Sequence, residues 1–327
     1  MIRRFGFLTA AASIGFLVCC VPACAEEVIE LEKAQADPDF AIQGEYLGEG
    51  VLPGGKKDKV GAQVIALDNG RFKVVVYQGG LPGDGWRRGD ERFFMEGTAE
   101  KLEAEKLSGS IVDGKLTVVD GKGKQRIVLE RTERTSPTMG AEPPEGAVVV
   151  FDGDDVEMLE GNPQGHLRED GNLVAGVTTK PLPEDYKLHL EFRLSWKPDA
   201  RGQGRSNSGV YLHDCYEIQV LDSFGLEGRD NECGGFYKVS EPKVNMCLPP
   251  MQWQTYDIDF TAPKYEDGKK VSNARATVKH NGVVIHDDLE LPHATPGRKG
   301  EGPAPRGIHL QGHGNRVFYR NIWAMPK

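Results

Sequence analysis

Three stretches of this chain alternate apolar residues with ionisable or amide side chains at period two, a pattern only a β-strand with one packed face satisfies. In Ser206 to Phe224, SNSGVYLHDCYEIQVLDSF, Tyr216, Ile218 and Val220 point one way and Glu217 and Gln219 the other. In Lys187 to Leu194, Leu188, Leu190, Phe192 and Leu194 alternate with His189, Glu191 and Arg193. In Gly307 to His313, Ile308 and Leu310 alternate with His309, Gln311 and His313. The exposed faces carry His, Glu, Arg and Gln rather than Lys, Ser and Thr. That composition predicts one sheet with a hydrogen-bonding surface suited to a polyhydroxylated ligand, set against the plainer reading of a solvated antiparallel face.

Turn chemistry extends the all-β reading over both halves of the chain. Short strands are expected at Ala41 to Leu47, Gly61 to Leu67, Arg71 to Tyr77, Phe93 to Thr98, Lys106 to Val112, Lys115 to Val119 and Arg126 to Arg131. Asp68-Asn69-Gly70 and Asp113-Gly114 are hairpin signals, because glycine takes positive φ without a steric cost. The loop GGLPGDGWRRGD from Gly79 lacks the strand-then-helix setting of a phosphate-binding loop. Its Trp86 is placed to touch a sugar ring, to meet another domain or to plug the loop. The polar, proline-bearing stretch 132–146 reads as a linker. Asp170-Gly171-Asn172, His280-Asn281-Gly282 and Gly312-His313-Gly314-Asn315 then punctuate further alternating runs, and no helix-period segment of convincing length stands between them. The organisation expected is a small antiparallel β-domain at 26–131, a linker at 132–146 and a two-sheet sandwich or jelly roll at 147–327.

Residues 1–25 read as an export signal. Arg3 and Arg4 precede an apolar run from Phe5 to Val21, and Ala23-Cys24-Ala25 supplies the small-x-small cleavage pattern. A lipid anchor through Cys24 is the alternative, which Pro22 fits poorly. The protein is expected to be periplasmic or extracellular, without a transmembrane span. Without Arg3 and Arg4 the remainder holds 38 basic and 49 acidic residues, a formal charge of 38 − 49 = −11. This argues against nucleic acid or an anionic membrane surface as partner. Export also makes a disulfide expected between Cys233 and Cys247, both in Gly- and Pro-rich sequence, and such a bridge would contribute about 3 kcal/mol. Cys215 lies beside a strand, with no pattern around it to suggest an activating base.

An ordered set of motifs marks the second half: Phe151-Asp-Gly153, Leu190-Glu-Phe-Arg193, Asn207-Ser-Gly-Val-Tyr211, Tyr216-Glu-Ile-Gln-Val-Leu-Asp222, Cys233-Gly-Gly-Phe-Tyr237, Trp253-Gln-Thr-Tyr256, His280-Asn-Gly282, Ile308-His-Leu-Gln-Gly-His-Gly314 and Phe318-Tyr-Arg-Asn-Ile322. Together they resemble the 3-keto-disaccharide hydrolase family, which has a concanavalin A-like jelly roll. The GEYLGE segment and the GGLPGDGW loop look like an N-terminal module that accompanies this domain in some planctomycete proteins. The resemblance implies chemistry on glycosides already oxidised at C3 by a separate glycoside 3-dehydrogenase. The ketone acidifies the C2 proton, a base removes it, the C1 aglycone leaves by β-elimination, and water adds to the resulting glucal. Such a site needs a base near C2, donors to the enolate oxygen at C3 and an acid at the leaving oxygen.

Glu217 is the candidate base or acid/base shuttle, with Asp222, His309 and His313 as alternatives. Gln219, Gln311 and Arg193 would bind hydroxyls or polarise the ketone, and Glu191 would orient Arg193. Arg320 and Asn321 read as packing and loop hydrogen bonding. Two other readings compete. One is a conventional glycosidase on the same fold, whose glucanases carry Glu-x-Asp-x-x-Glu where this chain has Glu217-x-Gln219-x-x-Asp222, a poor carboxylate pair. The other is a lectin-like binding module without turnover. No cofactor is expected. No metal is expected either, because His309 and His313 lie about 13 Å apart on a regular strand.

Overall fold

The computed structural model describes residues 27–51 and 57–327. The export segment and Cys24 therefore lie outside the described residues. Two short helices open the described chain, α1 Leu31–Gln35 and α2 Pro38–Ile42. Asp37 caps α2 by accepting from the Asp39 amide at 2.9 Å, with Pro38 in the first turn. The strand expected from Ala41 accordingly starts only at Gly44.

The strands that follow are β1 Gly44–Val51, β2 Lys57–Ala66, β3 Arg71–Gln78, the two-residue β4 Leu81–Pro82 and β5 Gly85–Trp86, β6 Arg92–Thr98, β7 Leu102–Ala104, β8 Leu107–Val112, β9 Lys115–Asp120 and β10 Gln125–Thr132. Eight of them close into an antiparallel barrel in the order β1-β10-β9-β8-β7-β6-β3-β2. Closure removes the unpaired edges that a small open sheet would leave. Val60, Ala62, Val64, Phe72, Val74 and Val76 fill its interior. The alternate residues Ile65, Val75 and Tyr77 face outward and share a core with the second domain. Trp86 is buried there, edge-on to Tyr77 at 5.0 Å, and so plugs the domain junction instead of meeting solvent. Arg88 ties the junction by donating to the Gly228 and Pro242 carbonyls at 2.5 and 2.9 Å.

The second domain contributes β11 Val148–Phe151, β12 Leu173–Val174, β13 Val177–Thr178, β14 Tyr186–Arg193, β15 Asn207–Leu212, β16 Tyr216–Leu221, β17 Trp253–Thr261, β18 Lys264–Glu266, β19 Lys269–Ser272, β20 Ala274–His280, β21 Val283–Leu291, β22 His309–Leu310 and β23 Phe318–Pro326. The larger sheet runs β11-β23-β14-β17-β20-β21, with β12 added to β23, and the smaller runs β13-β22-β15-β16. Leu188, Leu190, Phe192, Tyr256 and Ile258 of the larger sheet meet Val210, Ile218, Val220 and Leu310 of the smaller in one core. Each large apolar side chain buried this way contributes about 1.5–3 kcal/mol. The result is the concanavalin A-like two-sheet sandwich.

The expectation of a single polar sheet is corrected here. β14 belongs to the larger sheet, while β15, β16 and β22 form the smaller one. Their polar faces therefore point to opposite sides of the sandwich. The segment expected to be a free linker lies across the outer face of the larger sheet. Ser136 Oγ bonds Thr255 Oγ1 at 2.6 Å, Thr138 Oγ1 donates to Asp257 at 2.6 Å, and the Gly140 amide donates to Glu191 at 2.6 Å.

Candidate active site

The smaller sheet carries the candidate site on its outer face. Antiparallel partners point to the same side, so register decides which residues meet. His309, Tyr211 and Glu217 stand in one row across β22, β15 and β16. Gly209 and Gln219 pair in the next row, where the Gln311 amide donates to the Gly209 carbonyl at 2.8 Å. In the third, Asn207 Nδ2 lies 3.3 Å from His313 Nδ1. A cleft of about 140 Å³ opens over these rows, lined by Asn207, Tyr211, Glu217, Gln219, Gln311 and His313, with Gln203, Tyr237 and Pro296-Gly297 as walls.

Local sequence builds this surface. The β15–β16 hairpin turns through His213-Asp214-Cys215, the first two in the left-handed region at φ 50° and 52°. Two such non-glycine residues are strained. Asp214 offsets this by pairing with Arg298 at 2.6 Å and Lys299 at 2.9 Å, which also anchors the Pro296-Gly297 wall. The free edge of β16 is covered on one stretch by Gly234 to Tyr237, whose backbone bonds to Gln219 and Glu217 bring Tyr237 to the cleft. Thr295 Oγ1 accepts from the Glu217 amide at 2.8 Å. Gly209 is required by close approach, since a Cβ there would stand 2.3 Å from Glu217 Oε1.

Glu217 is only 4% exposed, and no cation pairs with it among the described residues. Burial raises its pKa to about 7, against a smaller lowering from the Tyr211 hydroxyl. With the Gln219 amide oriented to satisfy both its ends, Nε2 donates to Glu217 Oε1 at 3.1 Å and to the Ser208 carbonyl at 2.9 Å. Gln311 Nε2 donates to the Tyr211 hydroxyl at 3.2 Å. His309 bonds Thr178 Oγ1 through Nδ1 at 2.9 Å, and burial together with Arg298 lowers its pKa to about 4. It is thus neutral at ordinary pH. Two strand spacings, roughly 10 Å, separate it from Glu217, and Tyr211 stands between them.

Three of the sequence-predicted catalytic and binding residues, and both cysteines of the expected disulfide, lie elsewhere. Glu191 is buried on the outer face of the larger sheet, where it takes Arg320 Nε at 2.6 Å, Asn321 Nδ2 at 3.0 Å and the Gly140 amide. Burial opposes its ionisation, but hydrogen bonds from His189, Asn321, Gly140 and Arg320 prevail and lower its pKa to about 2. Arg193 is not oriented by Glu191. Its guanidinium is sandwiched between Trp253 and Phe318, at 5.2 and 5.1 Å from the ring centroids. Asp222 stands five residues from Glu217, an odd separation that turns it to the opposite face. It pairs with buried Arg205 at 2.5 Å and accepts from the Phe224 amide as a turn former. Cys233 and Cys247 are buried free thiols in mutual contact. Cys233 Sγ meets the Tyr256 hydroxyl and Cys247 Sγ the Leu221 carbonyl, so each is satisfied as a thiol and no bridge is formed. Burial pushes the Cys215 thiol up to about 12, far from a nucleophile's range. Among the described residues no group of three or more His, Cys, Asp or Glu is placed to hold a metal ion.

Residues 146–325 match the model of the 3-keto-alpha-glucoside-1,2-lyase-like domain. The chain belongs to this family. Two crystal structures of proteins from Parabacteroides distasonis, provisionally described as glycosyl hydrolases, are similar to it. One is 29% identical with a TM-score of 0.49, over 56% of this chain and 85% of that one. The other is 17% identical with a TM-score of 0.42, over 56% and 95%. No curated protein matches. Membership of the 3-keto-alpha-glucoside-1,2-lyase-like family supports a carbohydrate-active hydrolase. The barrel formed by 44–132 lies outside the matched residues. Among the described residues no helix is long and apolar enough to cross a membrane.

Proposed function

We propose that this protein cleaves 3-keto-glycosides by β-elimination and water addition, with the cleft on the smaller sheet as its active site and Glu217 as base. The supporting observation is a single desolvated carboxylate among neutral hydrogen-bonding groups. Removing a proton beside a ketone needs a base whose pKa lies near the working pH, and burial brings Glu217 there. The negative charge then develops on the C3 oxygen. Gln311 lines the same cleft, and its second amide hydrogen, beyond the one given to Tyr211, can take that charge without a competing cation. Glu217, once protonated, returns its proton to the leaving C1 oxygen or to the product, and water adds across the double bond to complete net hydrolysis. His313 lies exposed at the rim of the cleft.

The conventional glycosidase reading loses its second carboxylate, because Asp222 points away from the cleft and is committed to Arg205. Export to the periplasm or beyond, and a separate 3-dehydrogenase supplying the ketone, belong to the same proposal. A direct test is to offer the purified protein a nitrophenyl glucoside and its 3-keto derivative. Release from the keto compound alone, lost in Glu217→Gln, is expected. Equal release from both would support an ordinary glycosidase. Sugar binding without release from either would make the protein a binding module.

A further inference from the structure

We propose that Tyr211 is the positioning residue that holds Glu217 ready to accept a proton, through a hydroxyl hydrogen that alternates between the Glu217 carboxylate and the Pro296 carbonyl. The inference rests on the elimination reading of the same cleft. Tyr211 stands directly opposite Glu217 across β15 and β16, with its hydroxyl in hydrogen-bond reach of the carboxylate. The hydroxyl also lies 3.1 Å from the Pro296 carbonyl and accepts from Gln311 Nε2 at 3.2 Å. A phenol has one hydrogen to give and lone pairs to receive. With the Gln311 donor fixed, that hydrogen has two acceptors. When Glu217 is ionised, Tyr211 donates to it. When Glu217 carries the proton, its own O–H donates to the phenol oxygen, and the tyrosine hydrogen turns to Pro296. Every donor keeps an acceptor in both states, so the carboxylate can change charge in a buried place without stranding a polar atom.

Neighbouring glycines leave room for this arrangement. A Cβ on Gly297, at φ 100°, would stand 2.7 Å from the Tyr211 hydroxyl. Of the titratable groups facing this pair, Tyr237 lies along the β16 edge and Tyr319 beneath the sheet, while Arg298 and His309 lie on the Tyr211 side. Tyr319 is already bonded to Ser208 Oγ at 2.7 Å. None of these supplies a second hydroxyl to Glu217 in place of Tyr211.

The test is Tyr211→Phe, which keeps the ring against His309 and removes only the hydroxyl. The proton state of Glu217 is read in two ways: from the acidic limb of kcat/KM on a 3-keto nitrophenyl glucoside, and from the carboxyl stretch in infrared difference spectra against Glu217→Gln. Loss of the donor moves both upward by about one pH unit. Gln311→Leu, which frees the phenol oxygen but keeps its hydrogen, gives a smaller shift in the same direction. Lower activity at every pH with both readings unmoved would make Tyr211 merely structural and overturn the proposal. A spectroscopic shift without turnover of keto-glycosides would uphold the Tyr211–Glu217 pairing and sink the elimination reading instead.

Discussion

The two outer faces of the sandwich carry the same vocabulary, and they use it oppositely. On the larger sheet, His189, Glu191 and Asp257 are each matched. Glu191 is held by Arg320, Asn321 and the Gly140 amide beside His189, His189 bonds Asp257 at 2.7 Å, and Ser136, Thr138 and Gly140 of the connecting segment bond to the sheet. On the smaller sheet, Glu217 has neutral neighbours, no counter-charge and an open cleft above it. Desolvation is balanced in the first case and left standing in the second. A satisfied carboxylate has its pKa lowered and serves stability, whereas an unsatisfied one has its pKa raised and is available for chemistry.

The comparison breaks most sharply at Glu217. Glu217→Gln should lower release from a 3-keto-glucoside by about 10²- to 10⁴-fold, the usual worth of a general base. It should also stabilise the protein, and the sign follows from linkage. With a folded pKa near 7 against the ordinary value of 4.5, the folded state holds the proton more tightly. That contribution is complete below pH 4.5 and is lost as pH rises through 7. Thermal unfolding should therefore show the variant more stable than wild type at pH 8, with the gap closing at pH 4.

Glu191→Ala should do the reverse. It strands the Gly140 amide and Asn321 and leaves Arg320 without its partner, for a loss of about 2–3 kcal/mol measurable by urea unfolding, with kcat unchanged for the folded fraction. Because the Glu191 pKa is lowered, its contribution in wild type is present above pH 4.5 and fades as pH falls through 2. Asp222→Asn should behave like Glu191→Ala, costing about 2 kcal/mol through Arg205 without touching kcat. Gly209→Ala gives the smallest effect, about tenfold in rate and about 1 kcal/mol or less in stability, because its methyl displaces only the Glu217 carboxylate.

Much of this was legible from period and turns. Strand positions in the barrel follow the hairpin glycines, and Glu217, Gln219, His309, Gln311 and His313 share a face because their parity on paired strands requires it. Parity also speaks against Asp222, since five residues from Glu217 on an unbulged strand is an odd step. Sheet membership was not legible. The alternation in Lys187 to Leu194 is indistinguishable from that in β16, and only the pairing of β14 with β17 and β23 separates them. Ser136, Thr138 and Gly140 look like solvated linker because hydroxyls and backbone amides bond water as readily as a sheet face. Tyr211 was hidden by its apolar ring, although its place two residues from Gly209 and four from Asn207 puts it on the polar face. Asp37-Pro38 is a readable helix start that the expected strand at Ala41 overrode.

The most direct measurement is the pH dependence of kcat/KM on a 3-keto nitrophenyl glucoside for wild type and Glu217→Gln. Activity rising through an acidic limb near pH 7, with that limb absent from the residual activity of the variant, is the predicted result. A limb that persists unchanged in Glu217→Gln would contradict the assignment of Glu217 as the base and move the chemistry away from this cleft.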